Sequence, residues 1–161
     1  MPTSTLKSNI RYHLGLAYYL KGEFQKALGP YREDVDASVN SDMLVATSHW
    51  LYMTLRRLKR DREAAQVLTG IAPEMDVIEN QSYHRLLLMY KGLVSPDSLL
   101  LRPGAGDAAL QDVTVSYGIG NWLYNGRAEQ AKRIFERILG TDQWAAFGYL
   151  AAEAELARTR S

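Results

Sequence analysis

Apolar residues recur at helical spacing along almost the whole sequence, and short breaks group them into pairs of segments. In the first pair, Ile10, Leu14 and Ala17 lie three or four residues apart, which is typical of one face of an amphipathic helix. Gly22 permits a tight reversal, and a second apolar series begins at Phe24. Because two helices joined by so short a break pack antiparallel, the pattern predicts a chain built from helical hairpins.

The same arrangement returns along the chain, and no alternating stretch is long enough to predict a strand. The predicted hairpin units and the final helix cover residues 6–40, 41–72, 78–103, 108–140 and 141–158. One hairpin cannot cover its own apolar face, whereas several stacked hairpins can. The sequence therefore predicts a single all-α domain over residues 1–161.

Several local signals predict where these helices start and stop. Proline removes a helical hydrogen bond and clashes with the preceding turn, so Gly29-Pro30 predicts a kink or an early stop, or the start of a new short segment. Ser95 is the predicted N-cap of a helix of about two turns, and residues 102–107 are a predicted loop. Thr141-Asp142 is the predicted N-cap and first turn of the final helix.

Composition narrows the class of protein. The 161 residues are 47% hydrophobic with a net charge of +1, which excludes disorder as the main state and suffices for a core. No apolar run is long enough for a membrane span, and the absence of cysteine excludes disulfides and thiolate zinc sites. The start lacks the apolar stretch of a secretory signal, so we expect a cytoplasmic protein, or a bacterial envelope protein if a signal or lipid-anchor segment was removed.

The segments also share an internal register. The first unit contains Leu14-Gly15, Tyr18, Gly22, Ala27 and Tyr31. The sites corresponding to its Leu-Gly pair begin at Leu14, Tyr52, Leu86, Gly118 and Phe147, in steps of 38, 34, 32 and 29 residues. This series resembles the tetratricopeptide repeat (TPR), whose period is about 34 residues. The resemblance implies a right-handed solenoid of about four irregular repeats plus a C-terminal helix, with a concave groove for a protein or peptide.

Small residues at fixed places in this register are expected to let the helices pack closely. Glycine and alanine let a neighbouring helix approach closely because they have little or no side chain. The positions predicted to do so are Gly15, Gly148, Ala27, Ala65 and Ala131.

The order in which the segments depart from a regular repeat is informative as well. The segments that show it are His49-Trp50-Leu51-Tyr52, Ala64-Ala65-Gln66-Val67-Leu68, Met89-Tyr90-Lys91-Gly92, Ser95 to Leu100, and Tyr117 to Ala131. In this order the chain resembles the NlpI-type bacterial TPR lipoproteins. The resemblance implies an envelope adaptor that brings together proteases and peptidoglycan-processing enzymes, often as a homodimer. The lipid-anchor cysteine and signal peptide of that group have no counterpart in this sequence.

The TPR register also predicts a partner-binding groove. Seven side chains are expected on the inner surface: Tyr12, Tyr19, Trp50, Leu51, Thr54, Tyr117 and Tyr124. Aromatic side chains supply contact area at low entropic cost, which suits peptide binding. The alternative is that these rings pack between repeats or against the final helix. A carboxylate-gripping groove is excluded, because the positions for its Lys and Asn side chains hold other residues, such as Leu16.

Signals for chemistry are absent from the sequence. His13, His49 and His84 are expected on three different helices, never two at metal-ligand spacing, so we expect partly buried or surface histidines. No GxSxG, P-loop, HExxH or paired-carboxylate motif occurs. The sequence therefore predicts a non-enzymatic protein without a metal ion or cofactor.

Two alternatives to a groove-binding scaffold remain open. The basic cluster comprises Arg56, Arg57, Lys59, Arg60 and Arg62. A helix C-terminus favours such charge, and a net charge of only +1 disfavours nucleic acid as its partner. The other alternative is a structural module that forms a homodimer through residues 141–158, because Trp144 and Leu150 have no second helix to cover them.

Overall fold

The computed structural model describes residues 5–100 and 107–160, and all regular structure within those ranges is helical. This confirms the all-α prediction for the part of the chain described. The sequence predicts a single domain, whereas the structure divides the chain into two compact units, Met1–Lys91 and Gly92–Ser161. No described helix is long and apolar enough to cross a membrane.

Helix pairs occur within the predicted units 6–40, 41–72 and 108–140, whereas the two helices of the predicted unit 78–103 fall in different compact units. The first unit contains α1 (Leu6–Leu20), α2 (Phe24–Asp36), α3 (Ser41–Arg57), α4 (Asp61–Val67) and α5 (Gln81–Tyr90). In it, α1 packs on α2, and α3 contacts α2, α4 and α5. The second unit contains α6 (Pro96–Leu100), α7 (Asp107–Tyr124), α8 (Ala128–Leu139) and α9 (Phe147–Thr159). Here α7 contacts α6, α8 and α9.

Side-chain caps fix several helix starts. The Thr5 hydroxyl accepts the Ser8 N–H at the start of α1, and the Asn40 side chain accepts the Met43 N–H at the start of α3. Ser95 accepts the Ser98 N–H at 3.2 Å, which confirms it as the cap of the short α6. Each cap satisfies an N–H group that has no partner within its helix.

Glycines are placed where one helix meets an aromatic ring or the backbone of another. A Cβ atom on Gly15 would lie 2.5 Å from the Tyr31 ring, and one on Gly148 would lie 2.9 Å from the Val113 carbonyl oxygen. Both predicted close approaches are therefore confirmed. In α7 the residue equivalent to Gly15 is Gly120, whose added Cβ would lie 2.5 Å from the Phe135 ring. The prediction aligned Ile119 with Gly15, so the register in α7 is shifted by one residue from the predicted pair Gly118-Ile119.

The structure corrects three further local predictions. The early stop at Pro30 is wrong, because α2 continues to Asp36 with buried residues on both sides of the proline. Thr141 is not the N-cap of the final helix, since its hydroxyl donates to the Ile138 carbonyl at the end of α8, and α9 begins only at Phe147. The small residue that packs in α4 is Ala64, because Ala65 is exposed.

The predicted loop at residues 102–107 lies outside the described residues except for Asp107, which begins α7. The chain between α4 and α5 is fully described and is held by polar contacts. The Lys91 ammonium group donates to the Ile71 carbonyl at 2.6 Å, and the His84 Nε2 atom lies 2.9 Å from the Ala72 carbonyl oxygen. This loop is therefore fixed to α5 although it has no regular structure.

Candidate docking surface

A row of large apolar side chains lies on the solvent side of α1. Leu6, Ile10 and Leu14 are 78%, 58% and 44% exposed. Residues four apart share a face of a helix, so the three side chains form one ridge, which we call the α1 stripe. The opposite face carries the buried residues, which include Gly15 and Tyr19.

The face of α1 that packs is the reverse of the one indicated by the sequence series. Ile10, Leu14 and Ala17 make a helical pattern, yet all three are exposed. Gly15 explains the difference, because the absence of a side chain lets the Tyr31 ring of α2 lie directly against the α1 backbone. The packed face is therefore the one that contains the glycine, and the larger aliphatic residues remain outside.

The seven residues of the predicted groove divide into buried and half-buried groups. The buried ones are Tyr19, Trp50, Leu51, Thr54 and Tyr117, while Tyr12 and Tyr124 are half-buried. The Trp50 ring meets the Tyr19 ring edge-on with centroids 5.1 Å apart, and the Thr54 hydroxyl donates to the Trp50 carbonyl at 2.7 Å. The five buried side chains belong to the interiors of their units and do not line an open groove.

A buried carboxylate in the second unit escaped the sequence reasoning. Glu155 on α9 is 1% exposed and accepts a hydrogen bond from the Tyr117 hydroxyl at 3.1 Å. It also forms an ion pair with Arg158 at 2.9 Å. Buried charges occur with such partners because an uncompensated one is costly. Tyr117 therefore connects α7 to α9, and only its aromatic nature, not this role, was visible in the sequence.

His49 occupies the centre of an aromatic cluster in the first unit. Its ring stacks on Tyr83 at 4.7 Å and on Tyr90 at 5.9 Å between centroids. The Tyr90 hydroxyl oxygen lies 3.4 Å from the His49 Nδ1 atom. Burial lowers the pKa of His49 to about 3, because removal from water disfavours the charged imidazolium. The ring is therefore a neutral packing group, and it is more deeply buried than the partly buried or surface position that the sequence predicts.

This environment predicts a pH dependence of stability. The ordinary pKa of histidine is about 6.5, so below that pH the unfolded chain binds a proton that the folded His49 does not. The contribution of His49 to the free energy of unfolding is therefore fully present above the ordinary pKa. It is lost as the pH falls towards the pKa of His49 in the folded protein. Between pH 7 and pH 5 we expect a loss of about 2 kcal/mol, measured by urea unfolding.

His49→Gln is the matched control, because glutamine retains a polar side chain but does not titrate. The variant should lose about 2 kcal/mol less than the wild type over the same interval. Parallel pH profiles for the two proteins would contradict the assignment to His49. The pKa values of some carboxylates, Asp42 and Glu63 among them, are lowered. These groups take up protons at lower pH, so the change in stability between pH 7 and pH 5 is assigned to histidine.

Most of the basic cluster is engaged within the first unit. Arg56 forms an ion pair with Asp61 at 2.9 Å, and the Arg57 guanidinium lies 4.8 Å from the centre of the Phe24 ring. Arg60 pairs with Glu63 at 2.6 Å, and Glu63 also pairs with Arg32. Lys59 and Arg62 are exposed. These contacts reduce the positive potential that the cluster presents to a phosphate backbone.

The second unit contains a cavity between α7 and α8. Its volume is about 400 Å³. Val113, Ile134 and Ile138 contribute apolar walls, while Asp112 and Arg137 are among its polar lining. Trp144 lies in the connection between α8 and α9 and is 72% exposed. The second unit therefore has both a cavity and an exposed aromatic ring, and both are relevant to self-association.

Within the described residues, no group of three or more His, Asp or Glu side chains is arranged to hold a metal ion. Comparison of the chain with protein-family models, with curated proteins and with solved structures gives no match.

Proposed function

We propose that this chain is a non-enzymatic scaffold of TPR-like helical hairpins that binds a protein partner. The single observation that carries the proposal is the α1 stripe, in which Leu6, Ile10 and Leu14 are exposed in one row. Scattered surface apolar residues need no explanation, but a continuous row on one helix is typical of an interaction surface.

The TPR-like character is supported by a repeated packing device. Gly15 of α1 contacts the Tyr31 ring of α2, and Gly120 of α7 contacts the Phe135 ring of α8. Both hairpins therefore place a glycine of the first helix against an aromatic residue of the second.

The proposal places the partner on α1 and not in the predicted groove. Five of the seven groove residues are buried in their units, and a protein partner contacts exposed side chains. The non-enzymatic assignment is supported by the roles already found for the polar groups, since His49 packs between rings and Glu155 connects two helices.

The experiment is capture of partners from a lysate of the native host with the immobilised protein, followed by mass spectrometry. Ile10→Asp places a charge in the centre of the stripe and should reduce capture of a specific partner at least tenfold, since each buried aliphatic side chain contributes about 1.5–3 kcal/mol. Ile78→Asp is the control, because Ile78 is 70% exposed in the same unit. If both variants capture the partners of the wild type, the stripe is not the binding surface.

A second candidate function is self-association through the C-terminal region of residues 141–158. The observation that favours it is the exposed ring of Trp144, close in sequence to the lining of a cavity of about 400 Å³. Light scattering on the wild type and on Trp144→Ser distinguishes this candidate, since a mass that is monomeric in both at high concentration contradicts it.

A further inference from the structure

We propose that the α1 stripe binds an amphipathic helix of another protein in which acidic side chains flank an apolar row. The inference rests on the proposed function, because it takes the stripe to be a protein-binding surface and specifies the chemistry of what it binds.

The α1 helix and the residues that follow it as far as Lys26 carry an excess of positive charge. Between Leu6 and Lys26 the sequence contains four basic residues and one acidic residue, Glu23. Lys21 and Lys26 share Glu23 at 2.7 Å and 2.5 Å. Two positive charges therefore compete for one carboxylate at the C-terminal end of α1.

The two basic side chains within α1 differ in their surroundings. Arg11 pairs with Glu33 of α2 at 3.1 Å and is neutralised there. Lys7 is exposed at the N-terminal end of the helix. Lys7, Leu14 and Lys21 are seven residues apart, and this spacing places them along one edge of a helix. The edge of the stripe is therefore basic at both ends, and an acidic partner complements it.

The shape of the stripe favours a helix as the partner element. Side chains four residues apart form ridges that pack into the grooves of a second helix. The 15 residues of α1 span about 22 Å at 1.5 Å per residue. A partner helix of about four turns, with apolar residues three or four positions apart, covers that length.

A second copy of this chain is a poor occupant through the same face. Symmetric pairing of α1 with itself brings like charges together, since Lys7 and Lys21 find no carboxylate on the opposing α1, which has no acidic residue. A lipid surface is also disfavoured. Helices that lie in the membrane interface bury a broad apolar face with Trp, Phe and Leu, whereas α1 presents a single row and contains neither Trp nor Phe.

The test uses the full chain and a pair of synthetic helical peptides labelled with fluorescein. Both peptides carry leucine at alternating three- and four-residue intervals, and the flanking positions hold glutamate in one and lysine in the other. In fluorescence anisotropy, we expect the glutamate peptide to bind at least tenfold more tightly than the lysine peptide. Its affinity should fall several-fold between 50 mM and 500 mM NaCl, because salt screens exposed charges.

Two variants localise the binding. Ile10→Ser should lower the affinity for the glutamate peptide at least tenfold, and Ile78→Ser should leave that affinity unchanged. Both positions are more than half exposed, so circular dichroism should show the wild-type helical signal for each. Equal affinity for the two peptides, or no effect of Ile10→Ser, would overturn the assignment of an acidic helix.

Two parallel measurements test the two other occupants, a lipid surface and a second copy of this chain. Binding to phosphatidylglycerol vesicles that is lost in Ile10→Ser would overturn the inference in favour of a lipid surface. Self-association that is lost in the same variant, measured by sedimentation velocity, would overturn it in favour of a second copy. If Ile10→Asp abolishes partner capture while neither peptide binds, the inference fails and the proposed function stands. If capture is also unchanged, the proposed function fails as well.

Discussion

Replacement of Trp50 by alanine is expected to lower the free energy of unfolding by about 4 kcal/mol, in the range for large aromatic residues removed from a core. Trp50 is 1% exposed on α3. Its ring meets Tyr19 at 5.1 Å and Tyr83 at 6.5 Å between centroids. Truncation leaves a cavity among rings that are held by their own neighbours, so the surroundings cannot close on the space.

The measurement is urea unfolding followed by circular dichroism. Trp144→Ala is the matched control, because the same side chain is 72% exposed there and its loss should change stability by less than about 0.5 kcal/mol. A Trp50→Ala protein that unfolds like the wild type but no longer captures its partner would contradict the buried role. That result would restore Trp50 to the predicted groove.

The Trp50 case shows what helical periodicity determines and what it leaves open. Periodicity indicates which residues share a face, and the predicted hairpins agree closely with α1, α2, α7 and α8. It does not indicate which face is covered. On α1 the exposed Ile10 and the buried Tyr19 lie on different faces that are both apolar, and only the contact of Gly15 with Tyr31 decides between them.

One signal in the sequence could have located the buried helix. Residues 43–55 contain no Asp, Glu, Lys or Arg, and a helix that is apolar on all sides is typically buried. In the structure α3 is buried along most of its length and contacts α2, α4 and α5. By contrast, nothing in the local pattern could reveal that Glu155 bonds to Tyr117 or that Asp42 bonds to Ile78, because these partners lie 38 and 36 residues away in the chain.

Asp42 provides the second large effect. Its carboxylate is buried in the first turn of α3 and accepts three backbone N–H groups, from Ile78 at 3.0 Å, Glu79 at 2.8 Å and Asn80 at 2.9 Å. The Asn80 side chain also donates to the Asp42 carbonyl at 3.2 Å. One side chain thus holds the end of the loop between α4 and α5 against the start of α3.

The electrostatics of this contact favour the charged form. Burial by itself disfavours the Asp42 carboxylate, but the three N–H groups outweigh that effect and hold its pKa below the ordinary value. The stabilising contribution is therefore present above the ordinary pKa of about 3.9. It is lost as the pH falls through the lower folded value, which separates it from the histidine effect at pH 5–7.

Asp42→Ala is expected to lower the free energy of unfolding by about 3 kcal/mol, because hydrogen bonds to a charged group are lost and N–H donors remain buried without a partner. Asp42→Asn retains one acceptor oxygen and should cost roughly half as much. Asp36→Ala, at an exposed position, should change stability by less than about 0.5 kcal/mol.

Hydrogen exchange provides a local readout of the same contact. In Asp42→Ala the amides of Ile78, Glu79 and Asn80 should exchange at least tenfold faster than in the wild type, because the loop end opens without global unfolding. Amides in the middle of α1 should show a smaller change, set by the loss of global stability alone. Uniform acceleration across the unit would contradict a local clamp, since it would mean that the loop end opens only when the whole unit unfolds.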